Sequence, residues 1–193
     1  MTETDPLEHL RGDRARASAE QDPCANVCIL ANIDELGLPQ ARTLVLRELD
    51  EQLAVFINTT SPKWQSLLKG PVSLVVWLPS IMVQYRLSCE TAPVAQHKVH
   101  DSWHLRPEPP KRMDWFYSHV AAQSSVIESR EHLLSALAAM DLAEPLTAPD
   151  TAHGLYLNPQ AVERLHLGES NGVHDRQLYR QTKTGWLVET LVP

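Results

Sequence analysis

The stretch Val27–Ile57, VCILANIDELGLPQARTLVLRELDEQLAVFI, decides the fold. It holds three apolar runs, Val27–Ile33, Ala41–Glu48 and Gln52–Ile57, separated by short polar connections. Asp34-Glu35-Leu36-Gly37, closed by Pro39, is turn chemistry. Asp50-Glu51 is a link of hairpin length. In the middle run Arg42, Leu44 and Leu46 fall on one face and Thr43, Val45 and Arg47 on the other, the period of a strand. Parallel neighbours need crossovers of about a dozen residues or more, so links this short make the strands antiparallel.

Outward from this stretch the chain alternates strands with helices. Ser61-Pro62-Lys63 opens a short helix through Leu68, with Ser as cap and Pro pre-set for the first turn. Val72–Leu78 and Met82–Cys89 read as strands. Helical periods cover Val94–Leu105, Met113–Ala121 and Ser129–Leu142, and Pro107, Pro109 and Pro110 part the first two. A polar loop spans Glu144–His153. Strands Ala161–Leu167, Arg176–Gln181 and Trp186–Leu191 close the chain, the last two joined by Lys183-Thr184-Gly185. The expectation is a mainly β protein, an antiparallel barrel with flanking helices. Residues 1–22 show no sustained apolar period and read as a mobile leader, with 23–193 as a single domain.

Composition narrows the partners. A net charge of −7 argues against a nucleic-acid surface, yet a small phosphorylated ligand needs only two or three local cations. No apolar run is long enough to span a bilayer, and the first residues lack the core of a secretory signal. The expected location is cytoplasmic, with no membrane partner. Cys24, Cys28 and Cys89 make an odd set, and Cys28, inside an apolar run, reads as a buried reduced thiol.

Four constellations carry chemistry. Arg42, Arg47, Ser61 and Lys63 are either a phosphate cradle or solvated surface charge; no GxGxxG or Walker loop is present. His97, His100 and His104 share a helix face but lack the accompanying carboxylate pattern of a metal site, so no metal is assigned. Gln84, a polar amide inside a strand, either bonds a heteroaromatic edge or faces solvent. Asn171-Gly172-Val173-His174-Asp175-Arg176 sets a proton-transferring imidazole beside a fixed cation, or is a salt-bridged strand.

Taken in order, these pieces resemble the pyridoxamine 5'-phosphate oxidase family, FMN enzymes with an antiparallel split β-barrel. Arg42-Thr43-Leu44-Val45-Leu46-Arg47 resembles its R-x-V-L-L-K strand, Ser61-Pro62-Lys63 its S-R-K, and Gln84 the Gln of its R-Q-V. Arg106-Pro107 resembles its S-R-P, Gln123-Ser124-Ser125 its Q-S-S, His174-Asp175-Arg176 its R-L-H-D-R, and Leu191-Val192-Pro193 its R-L-A-P terminus. The resemblance implies an FMN-dependent homodimer with the cofactor at the interface. Its reaction is oxidation of pyridoxamine or pyridoxine 5'-phosphate to pyridoxal 5'-phosphate, with oxygen as acceptor. It implies FMN contacts from Arg42, Thr43, Arg47, Phe56, Ile57, Ser61, Lys63, Gln84, Gln123, Ser124, His166 and Arg176. The phosphorylated substrate would meet Arg47, Ser102, Arg106, Gly172 and His174, with Arg106 and His174 closest to the chemistry.

The departures from the family are specific. Pro62 stands where the family has a phosphate-binding Arg. Phe56 and Ile57 replace Tyr-Thr, and His166 replaces a Trp. On the substrate side Arg47 replaces Lys, Ser102 a Tyr and Gly172 an Arg, while Glu108–Arg112 resembles an insertion. These changes keep open an FMN oxidoreductase acting on another small molecule, or a non-catalytic binder of flavin, pyridoxal phosphate or haem.

Overall fold

The computed structural model describes residues 5–193. Its strands are β1 (Val27–Ile33), β2 (Pro39–Val45), β3 (Arg47–Leu49), β4 (Gln52–Asn58), β5 (Val72–Leu78), β6 (Val83–Pro93), β7 (Ala152–His166), β8 (Asp175–Thr182) and β9 (Gly185–Thr190). They form one sheet in the order β2-β1-β5-β6-β7-β4-β3, with β8 on β7 and β9 on β8. Every pairing is antiparallel.

The 15-residue β7 curls this sheet. Its first part, Ala152–Tyr156, pairs with β4, and Ala161–His166 pairs with β8, while β6 runs beside both. The register slips where Ser88 faces Ala161 and Cys89 faces Pro159, leaving Gln160 as the extra residue of a bulge. A bulge bends its strand and tolerates a residue without an N–H, which is how Pro159 fits inside the ladder. Gly154 is needed nearby because a Cβ would come within 3.1–3.2 Å of Val94 and Phe56. The result is a half-barrel around a core that includes Leu30, Leu46, Val55, Leu74, Tyr85 and Leu155.

The helices are α1 (Pro6–Ala19), α2 (Trp64–Lys69), α3 (Gln96–His104), α4 (Glu108–His119) and α5 (Arg130–Ala138). A second core, of Val94, Val99, Trp103, Leu146 and Ala152, seats α3 and the 140s loop against the barrel.

Several expectations are corrected. Residues 6–19 are no mobile leader: Asp5 caps α1 by accepting from Leu7 N–H at 2.9 Å, and Pro6, Leu10, Asp13 and Ala17 are its buried stripe. The run Ala41–Glu48 is two strands, because Leu46 turns inward and its N–H donates to Asn26 O at 3.0 Å. The alternation of Arg42, Leu44 and Leu46 against exposed Thr43, Val45 and Arg47 holds. The polar loop ends earlier than His153, since β7 starts at Ala152. Helix α4 starts at Glu108, with Pro109 and Pro110 in its first turn, where a missing N–H costs no intrahelical bond. Ser61 does not cap α2; its hydroxyl accepts from Lys63 instead.

Candidate functional site

Arg42, in the middle of β2, and the loop after β4 bring Arg42, Ser61 and Lys63 around a cavity of about 430 Å³ that Ser124 and Asp34 also line. Lys63 Nζ donates to Ser61 Oγ at 2.7 Å. Arg42 donates to Asn32 Oδ1, Asn32 Nδ2 donates to Ser66 Oγ at 2.8 Å, and Ser66 Oγ donates to Lys63 O at 2.9 Å. This chain of bonds sets the guanidinium's direction from behind. Among the described residues neither Arg42 nor Lys63 has a carboxylate partner. Burial first, and the Arg42 charge second, hold the Lys63 ammonium below its ordinary pKa. Two neighbouring cations without an ion-paired carboxylate among the described residues, one of them beside a hydroxyl, are a donor set for an anion such as a phosphate.

The cradle opens toward a larger cavity of about 530 Å³. Lys63, Phe56, Ile57 and Gln123 line its near side, and Trp103, Arg106, Met113, Tyr117, Leu133 and Leu137 its far side. Gln123 is fixed by its own N–H, which donates to Thr60 Oγ1 at 3.2 Å, while Thr60 Oγ1 donates to Asn58 Oδ1 at 2.7 Å. Gln123 Oε1 is buried and accepts no hydrogen bond among the described residues. An orphaned acceptor of this kind costs about 1–3 kcal/mol, and a ligand N–H would satisfy it. A third cavity, about 440 Å³, is lined by Thr43, Arg47, Ser102 and Arg106 together with Glu48 and Phe56. Leu44, Phe56 and Arg106 form the wall shared by the last two cavities.

The other expected residues lie elsewhere. Register places Trp77, Gln84, Leu165 and Arg176 side by side across β5, β6, β7 and β8 on the outer face of the sheet. His166 sits in the neighbouring row, opposite Val83 and Asp175, with Nδ1 2.6 Å from Glu169 Oε1. Gly172, at φ +74°, and exposed His174 lie in the loop before β8. Arg176 Nε donates to Glu163 Oε1 at 3.0 Å. None of these residues lines the three cavities. One chain therefore assembles the cradle half of the expected constellation and leaves the terminal half apart.

Sequence reasoning missed Asn32, Ser66 and Asp114. Asn32 is a buried polar residue inside the apolar run VCILANI, a signal that a partner awaits it. Asp114 accepts from Trp103 Nε1 at 2.8 Å and from Arg106. Burial pushes its carboxyl above the ordinary carboxylate range, against the pull of Arg106 and Trp103. His100 Nε2 lies 3.2 Å from Gln96 Nε2, and the His104 ring packs edge-on to Trp103 at 5.8 Å. Burial raises the Cys28 and Cys89 thiols to about 12, so they are inert at neutral pH.

Comparison with solved structures defines the fold as that of the FMN-binding split barrels. PhzG from Burkholderia lata 383, solved with tetrahydrophenazine-1-carboxylic acid, superposes with a TM-score of 0.84 at 23% identity, covering 100% of this chain and 94% of that one. A pyridoxamine 5'-phosphate oxidase-related, FMN binding protein from Nostoc punctiforme superposes with a TM-score of 0.80 at 18% identity, covering both chains fully. Among curated sequences, the pyridoxine/pyridoxamine 5'-phosphate oxidase of Nostoc punctiforme is 31% identical over 184 residues, 92% of this chain and 84% of its own length. That of Pseudomonas fluorescens SBW25 is 31% identical over 180 residues, 90% of this chain and 81% of its own. No family model matches the chain. The chain belongs to the pyridoxine/pyridoxamine 5'-phosphate oxidase family.

Proposed function

We propose that this protein is an FMN-dependent oxidase working as a homodimer, and that the family reaction is its first candidate: oxidation of pyridoxamine or pyridoxine 5'-phosphate to pyridoxal 5'-phosphate, with oxygen as acceptor. The observation that carries the cofactor assignment is the pair Arg42 and Lys63 beside Ser61, neither cation ion-paired among the described residues, with the orphaned Gln123 Oε1 in the lining of the adjoining cavity. FMN bound there would supply the two-electron acceptor that no side chain offers. Arg42, Ser61 and Lys63 would hold its phosphate, Gln123 its ring edge, and Phe56 and Ile57 an apolar flank. Gln84, His166 and Arg176 would close the flavin from a second copy, bringing Gly172 and His174 toward the substrate. Division of the expected residues between two faces of one chain supports that assembly. Thr43, Arg47, Ser102 and Arg106 line the cavity left for substrate.

A specific observation favours a second reading, an FMN oxidoreductase for a different small molecule. Arg106 is bonded to buried Asp114, and Lys111 and Arg112 donate to backbone carbonyls, of His104 at 2.8 Å and of Met140 at 3.0 Å. Of the cations that could replace the family's phosphate contacts, Lys111 and Arg112 are thus committed elsewhere, and Arg47 is left.

Anaerobic reduction tests both. Protein reconstituted with FMN is mixed with pyridoxamine 5'-phosphate while the oxidised flavin absorbance is followed. Bleaching, reversed by air with formation of pyridoxal 5'-phosphate, establishes the first reading. Bound flavin that stays oxidised selects the second. Failure to bind FMN removes both and leaves a binding module on the same barrel.

A further inference from the structure

Arg106 follows the end of α3, and its N–H donates to Trp103 O at 3.0 Å. The turn into α4 brings Asp114 under its guanidinium. Asp114 is 6% exposed and Trp103 2%, so the carboxylate is fixed in a closed environment with two donors on one oxygen. Charge there is costly, and the pair persists because each ion satisfies the other. A phosphate dianion entering beside Arg106 would meet a guanidinium whose charge is already balanced, with a carboxylate directly behind it. At such short range in a partly desolvated site that repulsion is large.

The neighbouring groups compensate only in part. Lys111 Nζ lies over the Trp103 ring, 5.2 Å from its centre, rather than in the cavity. Glu48 puts a carboxylate in the lining of the substrate cavity itself, although Arg11 Nε donates to it at 2.8 Å. Arg47 is the remaining cation of that lining, and it is exposed. The larger cavity beyond Arg106 is walled mainly by apolar side chains, Met113, Leu133, Leu137 and the Trp103 ring among them, with Arg130 and the cradle's Lys63 as its other cations.

We infer that the substrate of this site carries no phosphate: Asp114, by pairing with Arg106, selects a small ring compound that is neutral or bears at most one negative charge. Asp114 is a specificity-determining residue in this assignment. The inference rests on the second reading of the function and names its substrate class.

The test compares 4-deoxypyridoxine with its 5'-phosphate, ligands that have no oxidisable group at C4' and form no imine. FMN content of the purified, reconstituted protein is measured first. A protein without FMN overturns the cofactor reading and leaves the ligand comparison, made by calorimetry, to stand by itself. In the wild-type protein the phosphate ester is expected to bind no more than about threefold more tightly than the parent, or not at all, because its charge gains no net partner. A preference for the ester above about tenfold overturns the inference, and anything at or below that supports it. Asp114→Asn keeps the acceptor for Trp103 and frees the Arg106 charge. It is expected to tighten ester binding about tenfold and parent binding less than about twofold. Equal ester affinity in a folded, FMN-loaded Asp114→Asn protein overturns the role of Asp114. Should that variant fail to fold, the wild-type preference alone decides.

Discussion

The cradle around Lys63 and the terminal segment around Arg176 carry the same kinds of residue and have opposite electrostatics. In the cradle, Arg42 and Lys63 line one cavity and, among the described residues, neither is ion-paired to a carboxylate, although Asp34 lines the same cavity; in the adjoining cavity Gln123 Oε1 is buried without a donor. In the terminal segment the charges are already matched. Arg176 and Arg86 share Glu163 at 3.0 and 3.6 Å, Arg180 meets Glu189 at 3.1 Å, and His166 meets Glu169. The first region is unfavourable as it stands and waits for an anion. The second is stable alone and offers a flat, half-buried row, Trp77, Gln84, Leu165 and Arg176, to whatever covers it.

The largest effect expected from that contrast is complementation. If a flavin site takes its cradle from one copy and its terminal face from another, Lys63→Met and Arg176→Met each lose tight FMN binding at limiting FMN. Refolding the two together gives heterodimers with one intact site each. Flavin retained after gel filtration should then recover to about a quarter of the wild-type value, the share set by random pairing. No recovery would break the comparison at its root and place both halves in one chain.

Next comes the affinity of the cradle itself. Lys63→Met should weaken FMN binding about a hundredfold, since truncating one partner of a buried charge contact costs about 2–5 kcal/mol. Fluorescence quenching of free flavin measures it. The apo protein should not lose stability, because the lost ammonium was repelled by Arg42 and had no counterion. A variant that binds FMN as well as wild type sinks the phosphate assignment.

Gln123→Leu sharpens the same point with a smaller change. Removing an acceptor that is buried without a donor should stabilise the apo protein by about 1 kcal/mol, seen as a higher urea midpoint, while FMN binding weakens about tenfold as the ring loses one hydrogen bond. Lower apo stability would mean that Gln123 has a partner within the fold.

How much of this the sequence carried follows from where its signals are local. The antiparallel sheet was legible because the links between β1, β2 and β4 are too short for crossovers, and because Arg42, Leu44 and Leu46 alternate cleanly with Thr43, Val45 and Arg47. Helix α1 was not, because its buried stripe is Pro6, Leu10, Asp13 and Ala17. One large apolar residue in four does not stand out, and Asp13 breaks the pattern. Asp13 is buried for a tertiary reason: Tyr85 OH donates to it at 2.6 Å and Arg164 Nε at 3.1 Å. The first half of β7 was hidden by Gly154 and Pro159, which read as loop residues but serve a close contact and a bulge. In the site, Arg42, Ser61 and Lys63 were phosphate candidates from residue type and order and line one cavity, while Gln123 came from the resemblance and lines the adjoining cavity with Lys63. Asp114 was not, since nothing in a helix of mixed polarity marks one carboxylate as the partner of an arginine eight residues earlier.

The smallest expected effect is the pH dependence of the cradle. Lys63 has a folded-state pKa below 10.5, its ordinary value, because of burial first and Arg42 second. Below that lowered pKa both folded and unfolded chains carry the proton, and the folded one bears the full penalty of holding it. As pH rises through the lowered value toward 10.5, the folded chain loses the proton more readily than the unfolded one, and the penalty is relieved. Wild-type apo protein is therefore less stable than Lys63→Met near neutrality, and the gap closes as pH climbs through that window. The difference between the two proteins cancels the tyrosines and thiols that titrate in the same range. Saturating FMN should invert the order at neutral pH, because an anion in the cradle favours the protonated lysine. Urea midpoints of both proteins, with and without FMN, measure all four corners. A gap that is flat with pH would mean that Lys63 sits in ordinary solvent, and the contrast between a waiting cradle and a satisfied terminal face would lose its electrostatic basis.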